Sequence, residues 1–126
     1  MARRIGVAIL VLLAVILFMI GMSGDKGPIG EGSVVEALSN ANPSPLQQEI
    51  ALRGTAVLGM VIFSLGVTLG GLRRGHRWAW WVLWYWPIFF VLHLLAFHTY
   101  VPDIPFAILA AVALVLTRGL QAEPSE

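Results

Sequence analysis

Four stretches of this chain carry no charged residue: 5–22, 54–72, 78–102 and 104–117, of 18, 19, 25 and 14 residues. Crossing about 30 Å of hydrocarbon takes about 20 apolar residues at 1.5 Å of helical rise each. Only helices and closed barrels satisfy all their backbone polar groups inside lipid. Each stretch is dense in Leu, Val, Ile, Ala or aromatic residues, and none shows the one-sided polarity of a soluble surface helix. The pattern predicts an all-α integral membrane protein. It reads as an antiparallel four-transmembrane-helix bundle forming a single membrane domain over residues 1–126, with helices at about 5–22, 45–72, 78–100 and 105–120. The last stretch is short. Starting it at Pro105 and extending it to Leu120 gives 16 residues, a length that a tight bundle or a locally thin bilayer tolerates.

Composition narrows the function classes. Charged residues make up 12% of the chain and hydrophobic ones 58%, against about 25% charged in ordinary soluble proteins. That balance excludes a disordered chain, a nucleic-acid binder and a conventional soluble enzyme. There is no cysteine, so disulfides, thiolate catalysis and Cys-based metal centres are excluded as well. Arg3 and Arg4 before the first apolar stretch also resemble the start of a secretory signal. Its apolar run is longer than the 7–15 residues of a signal core and no A-x-A site follows, so it is expected to stay as a helix.

Orientation follows from the arginines. A four-helix path places Arg3, Arg4, Arg73, Arg74, Arg77 and Arg118 on one side with Glu123 and Glu126. The other side receives Asp25, Glu31, Glu36, Glu49 and Asp103, with Lys26 and Arg53. The positive-inside rule then predicts both termini in the cytoplasm and one longer extracytoplasmic loop over 23–44. The expected location is the cell's inner (plasma) membrane, as a multi-pass protein. Within the loop, Ser33 and Glu36 have capping-box spacing and predict a short helix over 34–38. Ser44, Pro45 and Gln47 give a second start signal for the helix beginning at 45. The turn holding Arg73, Arg74 and Arg77 is short enough only for an antiparallel hairpin, and its charges are candidates for contacts with anionic head groups.

Three further groups are candidate functional residues. Thr55, Gly59, Gly66 and Gly70 share one stripe of the second long helix, a pattern that allows close helix packing, within the bundle or onto another subunit. All five tryptophans lie between Trp78 and Trp86, and Trp84, Tyr85 and Trp86 sit about 9–12 Å along the helix, deep for an interfacial belt. Pro87 removes a backbone bond to the carbonyl of Leu83 and predicts a bend there, where a planar apolar ligand such as a quinone or sterol could fit. His93 and His98 are ionisable groups in or near a span and are candidate ligand- or partner-binding residues. Five residues apart, they point about 140° from one another, so one straight helix does not aim both at one metal. No metal or cofactor is expected. His93 is expected to be mostly buried, hydrogen-bonded to Thr55 or to a backbone carbonyl near Pro102 or Pro105. His98, Tyr100 and Asp103 form a candidate outer polar cluster with Glu49 or Arg53.

No carboxylate is expected inside a span, which argues against a proton-coupled transporter of this size. There is no G-x-S-x-G, no H-E-x-x-H and no P-loop, so the chain leans away from an enzyme. The leading expectation is a small non-catalytic accessory or scaffold subunit of a larger membrane complex. Its expected partners are membrane lipids and other membrane protein subunits, or further copies of itself, and no nucleic acid. The alternative is a binding module for a lipophilic ligand (lipid, sterol or quinone), and a third reading is a histidine-dependent redox or membrane-enzyme subunit.

Overall fold

Among the described residues of the computed structural model, every regular element is a helix. The structure describes residues 1–118; Leu120, Glu123 and Glu126, which figure in the expectations above, lie outside the described residues. Helix α1 covers Ala2–Met22, α2 Val34–Ser39, α3 Pro45–Gly66, α4 Arg77–Leu83, α5 Tyr85–Phe97 and α6 Tyr100–Arg118. A π-helical turn at Val67–Gly71 and a 3-10 turn at Leu72–Arg74 extend α3. Four segments are long and apolar enough to cross a membrane: Ala2–Met22, Pro45–Arg74, Arg77–Phe97 and Tyr100–Arg118. This is the architecture of a multi-pass membrane protein.

The helix ends follow local chemistry. At α2 the amide of Glu36 donates to the Ser33 hydroxyl at 3.2 Å, while the Glu36 carboxylate accepts from the amide of Gly32 at 2.6 Å. At α3 the exchange is reciprocal. The Gln47 amide donates to Ser44 Oγ at 3.3 Å and the Ser44 amide donates to Gln47 Oε1 at 3.0 Å. Past Arg74 the chain reverses at Gly75, whose φ of 85° is a left-handed conformation suited to glycine.

Two helices differ from the sequence expectation. The helix expected at 78–100 is two helices that meet at Trp84, because Pro87 offers no amide to the Leu83 carbonyl. The helix expected to start at Pro105 starts earlier. Val101 is extended (φ −119°, ψ 120°), as a residue before proline prefers, and helical geometry follows with Pro102 and Pro105 in the first turn. Asp103 therefore lies inside the fourth apolar helix and is buried, so the expectation that no carboxylate enters a span is corrected.

The chain divides into two compact units, Met1–Leu13 with Ser64–Glu126, and Ala14–Phe63. In the first, α5 and α6 pack antiparallel. Phe90 meets Phe106 at 5.5 Å between ring centroids, and Trp80 of α4 reaches the carbonyl of Leu114. Leu10, Leu83, Trp86, Phe90, Ala110 and Leu114 are buried in its core. Gly6 lets α1 lie against α6, since a Cβ there would stand 2.6 Å from the Ala113 carbonyl oxygen. In the second unit, Gly21 fits against Val57 and Gly54 against Val34.

Among the described residues, the stripe expected to pack helices, within the bundle or onto another subunit, meets no close neighbour at its glycines. A Cβ on Gly59, Gly66 or Gly70 would meet nothing within 4 Å, and Thr55 is exposed. The close approaches fall at Gly6, Gly21, Gly54 and Gly71 instead, because the buried face of α3 runs through Gly54, Val61, Ser64, Val67 and Thr68.

A histidine–aspartate pair at the α5–α6 turn

The connection between α5 and α6 is two residues long, and its shape determines which side chains meet. His98 ends α5 in the left-handed conformation (φ 56°, ψ 31°), with its amide donating to the Leu94 carbonyl at 2.8 Å. Thr99 follows, and the early start of α6 brings Asp103 back beside the last full turn of α5. There the Nδ1–H of His93 donates to Asp103 Oδ2 at 2.8 Å, and the Thr99 hydroxyl donates to the same oxygen. Thr99 Oγ1 also lies 3.3 Å from His93 Nδ1.

An ionised carboxylate can only accept, so with Asp103 charged the proton of the 2.8 Å contact lies on His93 Nδ1. Asp103 sits in the first turn of α6, where the amide ends of the helix favour negative charge. Its side chain is 5% exposed, against 37% for His93. The pair thus has a buried carboxylate and a half-exposed imidazole. Chemically, a carboxylate holding Nδ1 leaves Nε2 as the one ring nitrogen able to give or take a hydrogen bond elsewhere.

This arrangement differs from the expected one. His93 is hydrogen-bonded, yet its partner is a carboxylate rather than Thr55 or a backbone carbonyl, and its side chain keeps 37% exposure. Thr55 donates its own hydroxyl to the Leu52 carbonyl at 2.9 Å. Of the expected outer cluster, Asp103 belongs with His93 and Thr99, while His98 and Tyr100 are exposed. Glu49 and Arg53 are exposed residues of the other unit. Thr99 was not among the sequence candidates. The signal for the cluster was Pro102 followed by Asp103, a proline at a first helical position with an acid in the first turn.

The aromatic candidates separate. Trp86 is fully buried and stacks on Phe90 at 5.6 Å, so it belongs to the core. Tyr85 is exposed and its ring lies 5.7 Å from that of Phe89. Trp84 is half-buried and borders an open apolar groove of about 230 Å³ with Pro87, Ile88, Val91 and Leu92, at the expected bend. Arg73, Arg74 and Arg77 are exposed around the turn, and Arg3 reaches toward the Leu72 carbonyl at 3.5 Å. With Gly6 against Thr117, this gathers Arg3, Arg73, Arg74, Arg77 and Arg118 at one end of the first unit, opposite the His93–Asp103 pair.

Among the described residues no group of three or more His, Asp or Glu side chains is placed to hold a metal ion. No family model matches the chain, and comparison with curated proteins and with solved structures finds no match.

Proposed function

We propose that this protein is a non-catalytic accessory subunit of a larger membrane assembly, docked through the glycine face of α3 onto a transmembrane helix of another subunit. The observation that carries this reading is the open face at Gly66 and Gly70, where an added Cβ would meet nothing within 4 Å. Glycine weakens a helix by about 1 kcal/mol per residue relative to alanine. In lipid that loss is offset where another backbone packs against the glycine, because helix association there depends on close van der Waals contact. Gly59 continues the same pattern in the second unit. The arginine end of the first unit supports a cytoplasmic position for the N-terminus and the 73–77 turn, with anionic head groups as its lipid contacts. By the same rule 23–44 lies outside, with the plasma (inner) membrane as the proposed location.

Mild-detergent purification from native membranes tests the reading, with a photo-cross-linking residue placed at Gly66 or Gly70. A cross-link to a different membrane protein, lost when the probe sits on the buried side at Val67, is the expected result. Cross-links to lipid alone would overturn it, and cross-links only to further copies of the chain would replace the accessory role with a self-assembling one.

A further inference from the structure

We infer that His93 anchors a binding site for a quinone-class lipophile, a flat ring whose oxygen hydrogen-bonds to Nε2. The inference is independent of the docking face on α3. It starts from the asymmetry of the pair. Asp103, 5% exposed and held by Thr99, occupies Nδ1, and the His93 side chain as a whole is 37% exposed, which leaves Nε2 as the ring nitrogen free to meet a ligand. In apolar surroundings an imidazole nitrogen without a protein partner gains from a polar ligand atom.

The neighbours of the ring set the shape of that partner. Phe89 and Phe97, one helical turn to either side, lie 5.8 and 4.6 Å from His93 between ring centroids. Phe97 is exposed. The three rings form an aromatic strip on α5, which favours a flat unsaturated ring through offset or edge contacts. An imidazole tied at Nδ1 donates from Nε2 when charged and accepts at Nε2 when neutral. Quinones and quinols present the matching groups, a ring carbonyl that accepts and a ring hydroxyl that donates. Both redox forms therefore suit the same atom. A sterol's fused aliphatic rings offer a hydroxyl without a π face.

The test uses full-length protein with ¹⁵N-labelled histidine in phosphatidylcholine nanodiscs, titrated with decylubiquinone, decylubiquinol and, separately, cholesterol. Saturable movement of the His93 Nε2 resonance is expected with both quinone forms, with Nδ1 remaining hydrogen-bonded. His93→Gln is expected to weaken binding, read by quenching of tryptophan fluorescence, by about tenfold, the loss of one useful hydrogen bond. Asp103→Asn keeps the imidazole but loosens its orientation, and a smaller loss is expected. A His93 resonance unmoved at saturating quinone overturns the proposal, and this readout stands even where His93→Gln fails to fold. Equal affinity in His93→Gln and the unaltered protein overturns it too. Cholesterol moving Nε2 as far as the quinones do overturns the assignment to a flat ring.

Discussion

His93 and Asp103, ten residues apart in the chain, meet at 2.8 Å across the α5–α6 turn, one half-open and the other buried. That asymmetry predicts unequal effects of removing either partner. His93→Leu leaves a buried carboxylate with Thr99 as its remaining donor, whereas Asp103→Leu leaves a part-exposed imidazole that can take a neutral form. His93→Leu is expected to lower stability by about 1–3 kcal/mol, and Asp103→Leu by less. The double variant is expected to recover part of the His93→Leu loss, giving a coupling of about 0.5–3 kcal/mol in thermal or detergent unfolding. Strict additivity would show that the two residues do not stabilise one another.

His98 has a different job from His93. Its left-handed backbone closes α5, and that conformation costs an ordinary L-residue about 1–2 kcal/mol. His98→Gly removes this strain while adding backbone freedom to the unfolded chain, so a net gain of about 0.5–1 kcal/mol is expected. His98→Val, β-branched, is expected to destabilise. A lowered melting temperature for His98→Gly would mean that the exposed imidazole makes a contact of its own.

Two glycines in the same unit make opposite predictions. A Cβ at Gly6 would press on the Ala113 carbonyl oxygen at 2.6 Å and on Thr117 Cγ2 at 2.7 Å, and backbone does not yield cheaply. Gly6→Ile is therefore expected to destabilise the purified chain by about 1–3 kcal/mol. Gly66→Ile meets open space and replaces a poor helix former, so the melting temperature is expected to hold or rise. A cooperative unfolding scan of both variants in one detergent decides between them, and a loss at Gly66 matching that at Gly6 would contradict the open face.

The contrast explains what was legible in the sequence. The apolar lengths revealed the membrane helices, because a bilayer imposes one dimension on every span. Ser33, Ser44 and the Gly75 turn were legible because capping and chain reversal are local chemistry. The glycines were not. A small-xxx-small pattern shows that close approach is allowed at Gly66 and Gly70 without saying which neighbour takes it, and the burial of α3 was settled by Val61, Ser64, Val67 and Thr68 instead. The His93–Asp103 pair was missed for a narrower reason. A helix starting at Pro105 leaves Asp103 in a loop, whereas extended Val101 lets Pro102 begin the helix and brings the carboxylate to His93.

Trp80 and Trp86 differ in one hydrogen bond. Both are buried in the same unit, but the indole N–H of Trp80 donates to the Leu114 carbonyl at 2.9 Å, tying α4 to α6. The indole N–H of Trp86 is buried with no partner among the described residues. Replacing either by Phe removes a similar volume and leaves a similar cavity, so the packing losses largely cancel in the comparison. What differs is the polar part. Trp80→Phe forfeits a made bond, worth about 0.5–1.5 kcal/mol net, whereas Trp86→Phe removes a buried donor whose desolvation was never compensated, a relief of about 1–3 kcal/mol. Trp80→Phe is therefore expected to destabilise more than Trp86→Phe, although Trp86 is the more deeply buried of the two rings. Unfolding of the two variants under identical detergent conditions measures the difference directly. If Trp86→Phe proved the more damaging, the stacking of its ring on Phe90 would outweigh the orphaned N–H, and core packing at that site would dominate over polar satisfaction.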